Sequence, residues 1–221
     1  MLVSVLRHLG MDLSHDKDIN EIIKSFEVEV PRRPNIKISW NLDVVLSYLC
    51  SDKFEPIESC SILSLTKKTL FLLCLASAKR VSEVQALSRD VGFSSGGMAV
   101  SLLHGFRAKN DRKCRGLPRS CFIQNLTDLV GVEEEAKLCP VRAVKAYLRR
   151  TKDAVGSSHC HLFASPRTPS RPMSKNGISY FLRLLIKEAH KELDLDMLPV
   201  LKVNPHEVRA VSTYVTFSHN L

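Results

Sequence analysis

The stretch from Leu65 to Ser88 constrains the fold more than any other part of this 221-residue chain. Its segment Leu70–Ala76 contains almost no polar residue, and a helix that is apolar on all sides lies in a protein core. The length of the run favours a helix over a buried strand. After Ala78–Arg80 the helical spacing resumes, so a second helix is predicted there, with Ser82 or a neighbour as its cap. We therefore expect a buried central helix, a polar junction and a short helix.

Arg80 stands at this junction, where a guanidinium at the end of a buried helix is costly unless it has a partner. Glu83 is one candidate partner. A phosphate is the other, because the planar guanidinium matches phosphate oxygens bidentately. Taken alone, the residues favour a structural ion pair with Glu83, since most buried charges are paired within the protein.

Hydrophobic periodicity predicts helices on both sides of a small antiparallel sheet. Strands are predicted at 91–95 and 98–103, joined by a glycine turn, with a third strand at 121–123. Helices are predicted to begin after Ser39, at Pro140, after Ser174 or Asn176, and at Pro205. The expected fold class is therefore mainly α with a small antiparallel sheet (α+β).

The chain is basic, with 32 lysines and arginines against 23 acidic residues, a net charge of +9 and a pI near 9.3. An excess of this sign favours an anionic partner, most simply nucleic acid. It is concentrated in the linker Pro31–Pro34 and in the segment 105–119, where a basic hairpin could follow a phosphate backbone. A solvated loop is the alternative for most of the latter. The candidate DNA-binding residues are Arg32, Arg33, Arg107, Arg112, Lys113 and Arg115.

The remaining composition argues against several classes of protein. Seven cysteines are scattered without metal-ligand spacing, and their odd number is typical of reduced thiols in an intracellular protein. His159-Cys160-His161 has no second ligand pair at a zinc-finger distance. Neither a signal peptide nor an apolar run long enough to span a membrane is predicted. We expect an intracellular protein that uses no metal, no cofactor and no membrane.

His206 and Arg209 are three residues apart and therefore share one face of the last predicted helix. Together with Arg80 and a lysine from the hairpin, they would form a phosphodiester site. The two arginines would hold the non-bridging oxygens and stabilise the charge that grows in the transition state, while the imidazole handled a proton. The lysine could protonate the departing sugar oxygen. The arginines would then replace the divalent ion of other phosphoryl-transfer sites.

Four stretches resemble the tyrosine recombinase (phage-integrase-type) family, and look most like the recombinases of DIRS-type eukaryotic mobile elements. They are KTLFLLCLASAKRVSEVQALS, GFSSGGMAVSLLHGFRAKN, LCPVRAVKAYLRRT and NPHEVRAVSTY, which span most of residues 38–217. The resemblance implies a mostly helical catalytic domain with a small antiparallel sheet, acting in DNA recombination and integration. It also implies a helical core-binding domain, of which 1–34 would be the remnant, before a catalytic-like domain at 35–221.

The resemblance assigns roles to individual positions. Arg80 matches the first catalytic arginine, and Glu83 matches the acidic residue that supports it. His206 and Arg209 match the histidine and second arginine of the family's HxxR box. The hairpin lysine is assigned to Lys109, which stands in the turn after the second strand.

The match is incomplete near the end of the chain, and the lysine has Lys113 as a competitor. The family's tyrosine nucleophile lies well downstream of the HxxR box, whereas only 12 residues follow Arg209 here. Tyr214 is the one tyrosine among them, and it lies about 140° around the helix from Arg209, which predicts a core position. We therefore expect a C-terminally truncated recombinase that lacks its nucleophile and is catalytically inactive.

Three hypotheses follow. The first is a recombinase-type domain whose partner is duplex DNA, on which the family works as homo-oligomers. The second is a non-catalytic DNA-binding module or remnant, whose binding would depend on salt. The third is a helical interaction protein without a nucleic-acid role, and the concentration of basic residues counts against it. A nuclear location is expected only from the inferred DNA partner and from the resemblance to eukaryotic elements.

Overall fold

The structure is a computed structural model that describes residues 39–107, 120–126, 136–156, 159–192 and 205–218, with side chains in the last range described for 207–213. The chain divides into two units, Met1–Lys37 and Ile38–Leu221. The first unit lies outside the described residues, as does the predicted boundary after residue 34, which stays a prediction.

The described residues form helices and one small sheet, which confirms the expected α+β class. None of these helices is long and apolar enough to cross a membrane. In chain order the elements are α1 (Leu42–Leu49), α2 (Ile62–Ser77), α3 (Val81–Gln85), β1 (Gly92–Ser94), β2 (Gly97–Ser101), β3 (Ser120–Gln124), α4 (Pro140–Arg150), α5 (Lys152–Val155), α6 (Lys175–Lys191) and α7 (Pro205–Ser218).

Helix α2 is the centre of the core, as the sequence predicts. Every residue from Ser64 to Cys74 is buried, because α4, α6, α7 and β3 all pack against this helix. The hydroxyls of Thr66 and Thr69 donate to the carbonyls of Ile62 and Leu65 one turn earlier, both at 2.7 Å, so these buried polar groups are satisfied within the helix, and Thr69 also lies 3.3 Å from the Ala143 carbonyl of α4. The apolar run therefore specifies the helix that positions the rest of the unit.

One predicted helix cap is wrong, and for the second helix a neighbour of Ser82 rather than Ser82 itself is the cap. The first helix begins at Leu42 rather than after Ser39, because the Asn41 side chain accepts the amide hydrogen of Asp43 at 2.9 Å. The short helix α3 is not capped by Ser82, because its N-cap residue is Arg80. By contrast, Ser174 caps α6, and Pro140 opens α4, as predicted.

The sheet has the order β1-β2-β3 with antiparallel pairing throughout, close to the three predicted strands. Met98 pairs with Ile123, and both are buried against the helices. The opposite face is exposed at Ala99 and Phe122. Gly97 lies in β2 rather than in the turn, and a Cβ there would lie 2.2 Å from the Ile123 carbonyl oxygen. The close approach of β3 therefore requires glycine at this position.

Candidate nucleic-acid interface

A left-handed residue turns the chain between α2 and Arg80. Helix α2 ends at Ser77, and Ala78 follows with φ 48° and ψ 22°. Its amide donates to the Cys74 carbonyl at 3.1 Å, which satisfies one of the last carbonyls of the helix. Arg80 then takes an extended conformation and becomes the N-cap residue of α3. The backbone conformation of this turn therefore sets the position from which the Arg80 side chain extends.

Glu83 contacts Arg80 in two ways. One carboxylate oxygen accepts the Arg80 main-chain N–H at 2.7 Å, as acids in the first turn of a helix commonly do. The other oxygen lies 3.8 Å from Nη1 of the same residue, which is an ion pair but is too long for a hydrogen bond. The predicted pairing is therefore confirmed. Because the Arg80 side chain is 30% exposed, its remaining N–H groups are available to another oxyanion.

Helix α7, which carries Arg209, docks on the end of α2. The Ser212 hydroxyl donates to the Leu75 carbonyl at 2.5 Å. Val208 and Val211 are buried on the same helix. Arg209 is one turn before Ser212, and Leu75 belongs to the last turn before the junction at Arg80. Helix α7 therefore packs against the last turn of α2, which precedes the junction at Arg80.

Arg209 is half-buried on this helix. Within the described ranges its guanidinium forms neither an ion pair nor a side-chain hydrogen bond. Its main-chain carbonyl, by contrast, accepts the Thr213 hydroxyl at 2.5 Å. Glu207 is engaged elsewhere, because its carboxylate accepts the main-chain N–H and the hydroxyl of Ser39 at 3.4 and 3.2 Å. A half-buried guanidinium without an acid is a candidate for binding an anion.

Most of the predicted DNA contacts, together with His206, lie outside the residues whose side chains the structure describes. Arg107 is exposed at the start of the predicted basic segment. His206 lies in the first turn of α7, but its side chain is outside the described residues. Also outside them are the predicted DNA contacts and lysine candidates Arg32, Arg33, Lys109, Arg112, Lys113 and Arg115, and the Tyr214 side chain. Their roles stay predictions.

Helix α6 presents a basic stripe, Arg183, Lys187 and Lys191, along its exposed face. These residues lie within about 80° of the helix circumference, and successive members are about 6 Å apart along the axis. Glu188 of the same helix is turned away, because its carboxylate accepts from the buried Lys67 ammonium at 2.7 and 2.9 Å. An anion on this face therefore meets positive charge without competition from that carboxylate.

Sequence reasoning did not identify this stripe. The signal was present, because charges at positions i, i+4 and i+8 lie opposite the apolar face of the predicted helix, which includes Ile178, Leu182 and Leu185. The exposed Tyr180, 54% accessible, extends the stripe by one turn toward the start of the helix. Aromatic and basic side chains together on one face suit contact with nucleic acid.

A charged network in the core was also missed. Lys68 is fully buried and donates to the Leu49 carbonyl at 2.8 Å and to Glu55 at 2.5 Å. Arg142 donates to both oxygens of Glu55, each at 2.8 Å. Burial by itself raises the pKa of Glu55, but the bonds from Arg142 and Lys68 outweigh it, so the pKa is lowered. No spacing signal could reveal contacts between residues this far apart in sequence.

The described residues offer few groups for other chemistry. No cluster of three or more histidine, cysteine or acidic residues among them could hold a metal ion. The Cys74 thiol lies inside the core near the junction, and burial raises its pKa to about 12, so it stays protonated at neutral pH.

No protein-family model matches this chain, and no curated protein or solved structure matches it either. The resemblance to tyrosine recombinases therefore rests on the four sequence stretches quoted above.

Proposed function

We propose that this chain is a DNA-binding domain of the tyrosine recombinase type, which holds a phosphate of duplex DNA between Arg80 and Arg209. The observation that supports this proposal best concerns the partners of the two guanidinium groups. Arg80 is held by Glu83 but keeps unused donors, and Arg209 is half-buried without an acidic partner among the described residues. Helix α7, which carries Arg209, docks on the last turn of α2, and Arg80 follows that turn in sequence. A phosphate that bridges two guanidinium forks would satisfy both.

The chemistry of such a pair fits phosphodiester recognition. Each guanidinium presents donors in a plane that matches two phosphate oxygens, and together they would neutralise the charge that increases as phosphorus is attacked. His206 lies one turn before Arg209 in sequence and would be the proton-transferring group of the recombinase reaction. Glu83 would act as a positioning residue, because it fixes both the main chain and the side chain of Arg80.

The basic stripe on α6 supports a contact with DNA that extends over more than one phosphate. Arg183, Lys187 and Lys191 are exposed and lie in a row about 12 Å long, which suits phosphates along one strand. The net charge of +9 acts in the same direction by raising the local concentration of polyanions. These contacts would provide affinity without selecting a sequence.

The test is a titration of a fluorescently labelled duplex by anisotropy at several salt concentrations. Arg80→Gln and Arg209→Gln should each weaken binding about 10-fold or more, since each loses charge-assisted bonds. The double variant Lys187→Gln/Lys191→Gln should reduce the slope of log K against log salt by about 0.9 for each phosphate that is no longer neutralised. Lys152→Gln removes the same charge from an exposed residue of α5 and should change affinity by less than about twofold.

Two results would contradict the proposal. Affinity that does not change with salt would exclude a phosphate interface. Equal losses of affinity in Arg80→Gln and Lys152→Gln would show that only the net charge of the protein matters. Absence of duplex binding would favour the helical interaction protein instead.

A second assay separates an active recombinase from a non-catalytic DNA-binding module. A duplex with a nick in one strand traps a covalent protein–DNA link, because the released strand cannot be rejoined. A slow-migrating adduct that survives denaturation, and is lost in Arg209→Gln, would show strand-transfer chemistry. Salt-dependent binding without such an adduct would favour the module.

A further inference from the structure

A second basic region lies on helix α4, around a cleft of about 390 Å³. Arg142, Lys145 and Arg149 line it, and their spacing of three and four residues places them on one face of the helix. Glu58 and Asn125 approach from neighbouring loops. Helix α4 packs on α2 through the Thr69 hydroxyl and the Ala143 carbonyl, 3.3 Å apart, so this cleft belongs to a different helix from the candidate arginines.

Among the described residues of this region, the positive charge exceeds the negative charge. Arg142 and the buried Lys68 share a single carboxylate, that of Glu55, which takes both bonds of the Arg142 fork. The Glu55 bond raises the pKa of Arg142, which therefore stays charged. Lys145 and Arg149 add two more cations, against which Glu58 is the one further acid among the described residues that line the cleft. A dianion bound here would balance the local charge.

Glu58 occupies the cleft only loosely. Its carboxylate lies 3.6 Å from Nη2 of Arg149 and 4.0 Å from Nη2 of Arg142, so both contacts are longer than hydrogen bonds. Its side chain is 59% exposed, so little protein holds it in place. A ligand oxyanion could therefore displace it and form shorter bonds at small cost.

The two outer cations are available to a ligand. Lys145 lies over the Phe93 ring, with Nζ 5.2 Å from the centroid, so within the described part of the chain an aromatic face rather than an acid holds it. Arg149 is 65% exposed, and Glu58 is its ion-pair partner. The Asn125 side-chain oxygen accepts from the Cys139 thiol at 3.1 Å, which leaves the amide NH₂ as a neutral donor at the same cleft.

We propose that this cleft binds a phosphate group, held by Lys145 and Arg149 after Glu58 moves aside. Phosphate fits better than a single carboxylate because it brings up to two negative charges and enough oxygens for a lysine, an arginine and an amide. The group could belong to a small phosphorylated molecule or to the backbone of a nucleic acid. The site is separate from Arg80 and Arg209, so it stands or falls independently of the function proposed above.

The test is isothermal titration of the full chain with inorganic pyrophosphate at low ionic strength. Lys145→Gln and Arg149→Gln should each weaken binding about 10-fold, because each removes a charged donor. Glu58→Gln should strengthen binding about fivefold, since it removes the competing carboxylate. Lys152→Gln, an exposed change close to Arg149, should leave the affinity within about twofold of the original.

The opposite effects of Glu58→Gln and Arg149→Gln distinguish a site from general attraction to a basic protein. No binding by the unchanged chain, equal affinity in Arg149→Gln, or weaker binding in Glu58→Gln would overturn the proposal. A labelled duplex titrated into the same variants then identifies the source. Loss of duplex affinity in Arg149→Gln would assign the cleft to nucleic acid, whereas unchanged duplex affinity with lost pyrophosphate binding would assign it to a small phosphorylated molecule.

Discussion

The turn after α2 places Ala78 in a backbone conformation that is unfavourable for alanine. Its φ of 48° lies in the left-handed region, where a Cβ approaches the following carbonyl oxygen and costs about 1–2 kcal/mol. Glycine would remove that cost, although its freedom in the unfolded chain offsets about 0.5–1 kcal/mol. We predict that Ala78→Gly raises the free energy of unfolding by about 0.5–1 kcal/mol, measured by urea denaturation.

The matched control for this prediction is Ala76→Gly, two residues earlier. Ala76 is exposed in the right-handed part of α2, where glycine lowers helix stability by about 1 kcal/mol. The same chemical change should therefore have opposite signs at the two positions. A loss of stability in both variants would mean that the turn at Ala78 is not strained.

At the scale of elements, the sheet depends on one glycine. A Cβ at Gly97 would lie 2.2 Å from the Ile123 carbonyl oxygen and 2.8 Å from Cζ of Phe122, and the pairing of Gly97 with Gln124 holds the strands at that separation. We predict that Gly97→Ala lowers the free energy of unfolding by about 2–3 kcal/mol in urea denaturation, because β3 must shift.

Gly92→Ala in β1 is the control, since its Cβ would meet only the Ala99 Cβ at an ordinary 3.8 Å. Its stability should stay unchanged or increase by about 0.5 kcal/mol, because alanine loses less freedom on folding. If the two alanine variants were equally stable, the close approach between β2 and β3 would be wrong.

The existence of the elements could be predicted from sequence more readily than their ends. Periodicity identified α2, α4, α6 and the strands, because apolar spacing reflects burial directly. The starts of α1 and α3 depend on which side chain meets a free amide, and both Ser39 and Asn41 are competent caps. Arg80 was recognised as important but not as an N-cap residue, since it accepts no cap bond and Glu83 supplies the contact instead.

At the scale of the whole molecule, stability at acid pH depends on Glu55. Its pKa is lowered in the folded state by Arg142 and Lys68, so its contribution is complete above the unfolded value of about 4.5 and is lost as pH falls through the folded value. We predict that Glu55→Gln lowers the free energy of unfolding at pH 7 by about 3–5 kcal/mol, because Lys68 stays buried without a counter-charge.

The free energy of unfolding measured as a function of pH tests the role assigned to Glu55. The difference between the original chain and Glu55→Gln should shrink as pH falls below about 4.5, since only the original chain loses an interaction there. Glu58→Gln, which removes a 59% exposed carboxylate, should change stability by less than about 0.5 kcal/mol at either pH. A constant difference between the original chain and Glu55→Gln would show that the pKa of Glu55 is the same in the folded and unfolded states.

The contacts that hold the unit together could be predicted least. A buried lysine such as Lys68 looks like a surface residue in sequence, because its type is almost never fully buried unless paired. Its partners Glu55 and Arg142 come from a loop and a distant helix, and only the packing of α4 on α2 joins them. The candidate arginines were easier to identify, because HxxR and the junction at Arg80 are local patterns.

The Lys68–Glu55–Arg142 network also constrains which substitutions these positions can accept during evolution. Loss of Glu55 alone leaves Lys68 in the core without a counter-charge, whereas loss of either cation leaves the other paired with Glu55, and an apolar replacement of all three can fold as well as the original. In diverging descendants of this gene, replacement of Glu55 by a neutral residue should therefore be accompanied by loss of the Lys68 charge, so that these two positions co-vary.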